Sequence, residues 1–177
     1  MAATQILFAG FGGQGILFSG KFLAYEGLLE ERQVSWLPSY GPEMRGGTAN
    51  CSVILSDEPI GSPIVSHPDV LIAMNLPSYD KYENAVNEGG MAFIDSSLIG
   101  RGAERTDIKT FAVPATQLAT ENGLDGLANM IMVGKVIKET GVIPYENVER
   151  ALKKVVSARH QDLAEANLKA LALGYEF

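Results

Sequence analysis

Cysteine is almost missing from this chain: Cys51 is the single one in 177 residues. One thiol excludes an internal disulfide and cannot alone ligate an iron–sulfur cluster, so any redox cofactor is expected on another chain. Histidine is nearly as scarce. His67 sits in a Ser-His-Pro turn and His160 ahead of a helical stretch, and with no companion at ligand spacing no metal site is expected. Basic residues are outnumbered, 14 Lys and Arg against 21 Asp and Glu, for a formal net charge of -7 without any basic cluster. That balance argues against nucleic acid or an anionic membrane as a partner. No apolar run reaches bilayer length, and the chain enters a strand-like run without the basic segment and apolar core of a secretory signal. The expectation is a cytoplasmic protein. Also missing are a G-x-S-x-G elbow, a Cys–His pairing and paired carboxylates in a cleft. A binding site is legible, but chemical machinery is not.

What the chain does have is glycine in a telling place. Gly10, Gly12 and Gly15 make G-x-G-x-x-G directly after the strand-like Ile6-Leu7-Phe8-Ala9 and directly before a helix-like stretch at residues 16–28. Such a turn brings a ligand close to the main chain and aims unpaired helical N–H groups at the strand's carboxyl end, a setting for phosphate. Gln14 and Lys21 are expected to share one helix face, about 10 Å apart along the axis, so a long phosphorylated ligand could span both. The competing reading is packing alone, with Gly20, Ala24 and Gly27 letting the helix lie close to the sheet. An NAD ribose needs an acidic residue about 20 residues on, at the tip of the second strand. The strand at residues 33–37 runs instead into Leu37-Pro38-Ser39-Tyr40, with Glu30 and Glu31 ahead of it.

A second unusual stretch follows, Pro38-Ser39-Tyr40-Gly41-Pro42-Glu43-Met44-Arg45-Gly46-Gly47. If the first two strands are parallel, as the intervening helix implies, this loop leaves at the same sheet edge as the glycine turn, where ligands of open α/β sheets bind. Glu43 and Arg45 either serve that crevice or form a local ion pair that steadies the loop. Residues 48–55 read as a strand and residues 60–65 as its antiparallel return, so the sheet is expected to be mixed. Buried-type strands follow at residues 70–74 and 91–94, and a last short strand at residues 110–113. Asn75, after the first of these, is either a crevice residue or a turn-stabilising amide, with a helix over residues 78–86 capped by Ser78 or a neighbour. Residues 124–137 are apolar on most sides and predict a helix covered on both, by its own domain or by a partner. Its methionines suit core filling better than a cofactor box. Two amphipathic helices over residues 145–156 and 162–175 end the chain. The fold class is α/β: a Rossmann-like mixed, mostly parallel sheet with flanking helices and a helical C-terminal end, in one domain over residues 1–177.

The two unusual stretches together, Gly10-Phe11-Gly12-Gly13-Gln14-Gly15-Ile16 with Gly20-Lys21 and Ser39 through Thr48, resemble the gamma subunit of the 2-oxoacid:ferredoxin oxidoreductases, of the separate-chain type found with 2-oxoglutarate or branched-chain substrates. Ile60-Gly61-Ser62-Pro63 and Asn75-Leu76-Pro77-Ser78 fit as well. The resemblance implies an enzyme that decarboxylates a 2-oxoacid on thiamine diphosphate, forms acyl-coenzyme A and sends electrons through iron–sulfur clusters to ferredoxin. Thiamine and clusters would belong to alpha, beta and ferredoxin-like delta subunits, and this chain alone would be inactive. Carried over by position, Gly10, Gly12, Gly13, Gln14, Gly15, Lys21 and Asn75 would bind coenzyme A. Glu43, Arg45, Gly46 and Gly47 would approach the thiamine-bearing subunits, with Arg45 and Glu43 as the catalytic residues. Alternatives are an indolepyruvate-type oxidoreductase subunit, a free-standing nucleotide-dependent oxidoreductase domain, or a non-catalytic interaction module using residues 124–137. Trp36, Tyr40 and Met44 are candidate anchors for partner chains.

Overall fold

The computed structural model describes residues 3–39 and 48–177. Its centre is β1 (Ala3–Phe11), whose run Ile6-Leu7-Phe8-Ala9 is apolar at every position because both faces of the strand are covered. After α1 (Ile16–Leu29) come β2 (Gln33–Ser39), β3 (Thr48–Ser56), β4 (Val70–Ala73), α2 (Leu76–Tyr82), β5 (Met91–Asp95) and β6 (Lys109–Val113). Four further helices close the chain: α3 (Ala115–Glu121), α4 (Ala128–Thr140), α5 (Val148–Val155) and α6 (Gln161–Glu176). The six strands form one sheet in the order β2-β3-β1-β4-β5-β6. The β1/β4, β4/β5 and β5/β6 pairings are parallel, while β3 runs antiparallel to both its neighbours. The sheet is thus mixed and mostly parallel, an α/β fold as expected.

The antiparallel element differs from the expected one. Residues 60–65 form no strand, and β3 pairs instead with β1 and β2, inserted between them. Since β3 opposes both, β1 and β2 still run in the same direction, although they do not touch. Ser39 and Ala9 both face Asn50, and Phe11 faces Thr48. The end of β2 and the start of β3 therefore lie at the sheet edge that carries the glycine turn. Residues 40–47, with Tyr40, Glu43, Met44, Arg45, Gly46 and Gly47, lie outside the described residues.

Helices cover both faces. Phe22 and Leu23 of α1 join Phe8, Val53, Ile72, Met130 and Leu171 in one core, whereas Tyr79 of α2 packs with Leu7, Leu71, Ala92 and Ile94 on the other. The chain leaves β1 toward one side of the sheet and β4 toward the other, so the carboxyl ends of these two neighbouring strands frame a topological switch point. Ligands of open α/β sheets bind at such a crevice.

The apolar C-terminal segment is explained from within the chain. Met130, Ile131, Met132, Val133, Val136 and Ile137 of α4 are all buried, between the sheet and α6. The helices meet backbone to backbone, since a Cβ on Gly174 would run into the carbonyl oxygen of Ile131. The interaction module expected at residues 124–137 thereby loses its exposed surface. Trp36 is likewise half-buried against the α1 core rather than displayed, and Gly20 lets α1 approach close enough for the Cys51 sulfur to fill the space of its missing Cβ.

Candidate functional site

Two strand-to-helix turns meet at the switch point, and they differ at the helix N-terminus. The β4–α2 turn is closed by its own side chain: Asn75 Oδ1 accepts the Ser78 N–H at 2.9 Å, with Pro77 in the first turn. Asn75, not Ser78, is the cap, and the helix begins at Leu76. The β1–α1 turn has no such cap. Gly15 occupies the N-cap position in the left-handed region, φ 73°, and no side chain accepts from the first turn. The first backbone bond of α1 runs from the Ser19 N–H to the Gly15 carbonyl, leaving the N–H groups of Ile16, Leu17 and Phe18 without an intrahelical acceptor. Gly12 and Gly13 are exposed in front of them. A depression of about 290 Å³ opens there, lined by Phe11, Gly12, Gly13, Gly15, Leu17 and Phe18. Unpaired N–H groups at the head of a long helix favour an anion, and the apolar walls suit the less polar part of a larger ligand.

Gln14 stands before the helix rather than on it, so it does not share a face with Lys21. Its side chain folds back: Oε1 accepts the Phe11 N–H at 2.7 Å and the Asn75 side-chain N–H at 3.2 Å, and Nε2 donates to the Met74 carbonyl at 3.0 Å. Asn75 is thus both cap and crevice residue. Gly10 is the close neighbour this arrangement needs, because a Cβ there would fall 2.6 Å from Gln14 Oε1. Lys21 is exposed further along α1, with its ammonium 6.0 Å from the Tyr25 ring centroid and no ion pair among the described residues. The structure therefore brings together Gly10, Gly12, Gly13, Gln14, Gly15 and Asn75, with Lys21 outside the depression.

One contributor carries no local motif. Asn129, at the start of α4 and 6% exposed, donates its Nδ2 to the Gly15 carbonyl at 3.1 Å and to Ser19 Oγ at 3.0 Å, while its Oδ1 is buried without a partner. The signal available in the sequence was a lone amide ahead of the apolar Met130-Ile131-Met132-Val133. At the next strand tip, Asp95 is occupied structurally, accepting from Thr116 Oγ1 at 2.5 Å and from the Ser97 N–H at 3.0 Å. No acidic side chain ends β2, which finishes in Pro38-Ser39. Cys51 is fully buried, and burial pushes its thiol up to about 12. Its sulfur packs against Gly20 of α1. Among the described residues no three His, Cys, Asp or Glu side chains come together in a way that could hold a metal, and no helix is long and apolar enough to cross a membrane.

Comparison with known proteins gives these features a context. The family described as pyruvate ferredoxin/flavodoxin oxidoreductase matches residues 5–177. The chain is 38% identical over 98% of its length to ketoisovalerate oxidoreductase subunit VorA of Methanothermobacter marburgensis, of which it spans only 36%. It is 35% identical to 2-oxoglutarate synthase subunit KorC of Methanocaldococcus jannaschii, covering 97% of this chain and 92% of that one. The crystal structure of the keto/oxoacid ferredoxin oxidoreductase gamma subunit from Geobacter sulfurreducens superposes with a TM-score of 0.86 at 30% identity, over 99% of this chain and 96% of that one.

Proposed function

The chain belongs to the pyruvate ferredoxin/flavodoxin oxidoreductase family, and from that premise we propose that it is the coenzyme A-binding subunit of a multi-chain 2-oxoacid:ferredoxin oxidoreductase. The observation that carries this reading is the uncapped glycine turn at the switch point, whose free N–H groups suit the diphosphate of the coenzyme. Lys21, about two turns along the same helix, would reach a further phosphate as a point charge. The absence of an acidic tip on β2 weighs against the NAD-type alternative. Nothing specific favours the indolepyruvate-type alternative over this one.

Thiamine diphosphate and iron–sulfur clusters would be held by alpha, beta and ferredoxin-like delta subunits, with ferredoxin as acceptor. A single buried thiol of high pKa does not fit cluster ligation here. The assembly would be cytoplasmic, with this chain as one domain. Exposed apolar side chains at the same sheet edge suit a subunit contact: Phe11 ends β1, Leu76 opens α2 and Leu98 follows β5, at 38%, 36% and 46% exposure. Glu43 and Arg45 would complete the thiamine surroundings from the stretch of sequence between β2 and β3. The test is reconstitution. Partner subunits prepared without this chain should regain coenzyme A-dependent oxidation of a 2-oxoacid, with ferredoxin reduction, when it is added. Recovery of a stable, active complex that never needs the chain would overturn the proposal.

A further inference from the structure

We infer that the glycine turn is a cradle held in shape from two sides by carboxamides, with Gln14 and Asn129 as positioning residues that set the geometry of the anion-binding N–H groups without touching the ligand. This rests on the coenzyme A reading above. On the β4 side, Gln14 engages both ends of its amide. Two donors converge on Oε1, from Phe11 N–H and Asn75 Nδ2, and the Nε2 donor reaches the Met74 carbonyl. These partners fix which end of the amide is oxygen, since a main-chain N–H must find an acceptor and a carbonyl a donor. The turn closes on itself as well, with the Gln14 N–H donating to the Phe11 carbonyl at 3.2 Å. One side chain therefore ties the end of β1 to the end of β4, across the crevice where the fold places a ligand.

On the α4 side, Asn129 holds the Gly15 carbonyl together with Ser19 Oγ, which itself donates to that carbonyl at 3.0 Å. The unpartnered Oδ1 of Asn129 lies 3.3 Å from where a Cβ on Gly15 would stand. It is an uncompensated buried acceptor at the helix head, a cost tolerated where the amide is needed for another task. Holding donors in place before a ligand arrives strengthens binding by removing the ordering cost, and a supporting shell that is loose by an ångström forfeits it.

The test uses the assembled enzyme with coenzyme A as the varied substrate. Gln14→Met keeps the length and removes all three bonds. It should raise the KM for coenzyme A about tenfold while kcat changes less than about twofold, the size expected for losing a small hydrogen-bond network. Asn75→Ser is the milder variant if Gln14→Met assembles poorly. Serine still caps α2 but cannot reach Gln14, and a rise of about threefold in the same KM is expected. Asn129→Leu should act in the same direction. In the double variant Gln14→Met with Asn75→Ser the rise should be no larger than in Gln14→Met alone, because both act through one link. Gly12→Asp, which puts a carboxylate on the exposed turn, separates the two levels. If Gly12→Asp raises the KM and the amide variants do not, or lower kcat instead, the positioning roles are overturned while the coenzyme A reading stands. If Gly12→Asp leaves the KM unchanged, both fall.

Discussion

The helices α1 and α2 leave adjacent parallel strands at the same edge of the sheet, yet they are finished in opposite ways. The head of α2 is closed by Asn75, and the glutamate just past its end, Glu83, is fully served: Tyr79 OH, Arg101 Nη1 and the Glu104 N–H all donate to it. The head of α1 is open, and near its other end Glu26 is buried with neither carboxyl oxygen hydrogen-bonded. The head of α2, capped by Asn75, offers a ligand less than the open head of α1, although Ser78 Oγ within α2 is itself buried without a partner. Polar groups left unsatisfied inside a protein are costly, and they persist where something else uses them. The difference in capping is what the proposed binding role of α1 rests on.

The largest effect that would break this comparison is expected at Gly15. An alanine there must adopt the left-handed region and push aside the Asn129 amide, so Gly15→Ala should destabilise the chain by about 3–5 kcal/mol from strain, overpacking and lost hydrogen bonds. Denaturant unfolding of the purified chain measures it, and a change within error would show that the head of α1 is not tightly held. Next in size is the pH dependence carried by Glu26, whose carboxyl is raised from 4.5 to about 7, first by burial, then by the charge of Glu30, with Arg150 opposing and Glu146 adding. Between those two values the folded chain keeps a proton that the unfolded chain releases. Its contribution is therefore fully present below about pH 4.5 and is lost as pH rises to about 7, by about 2–3 kcal/mol. Glu26→Gln should flatten that part of the stability curve, and the same slope in the variant would assign it to other groups. Asn75→Ala comes third, at about 1–2 kcal/mol for the lost cap of α2 and the lost bond to Gln14, read as a fall in melting temperature.

Most of this frame was legible in the sequence, for identifiable reasons. Buried parallel strands such as Leu71-Ile72-Ala73 and Ala92-Phe93-Ile94 are continuous apolar runs, and the glycine spacing after β1 marks its turn locally. The strand order was not legible. β3 is buried along most of its length like a parallel strand, so nothing in Thr48–Ser56 announces that it inserts antiparallel between β1 and β2. Gln14 was recognised as part of the site but was placed on the helix, because spacing cannot reveal that Gly15 turns left-handed and starts α1 only at Ile16. Asn129 escaped because its role depends on α4 crossing the head of α1, a contact between residues far apart in the chain.

The smallest effect sharpens the comparison most finely, because it pairs two glycines of positive φ that differ in their surroundings. Gly13, like Gly15, has a positive φ, 93°, but a Cβ there would meet nothing within 4 Å. Placing an L-residue in the left-handed region costs about 1–2 kcal/mol. Replacing glycine also removes freedom from the unfolded chain, which returns about 0.4–1 kcal/mol. Gly13→Ala should therefore cost about 0–1.6 kcal/mol, against several for Gly15→Ala, when both are unfolded in denaturant under the same conditions. Chain entropy enters both alike and both carry left-handed strain, so a gap of several kcal/mol points to the Asn129 contact. Equal losses at the two positions would mean that strain alone fixes the turn, and that α4 contributes nothing to holding it.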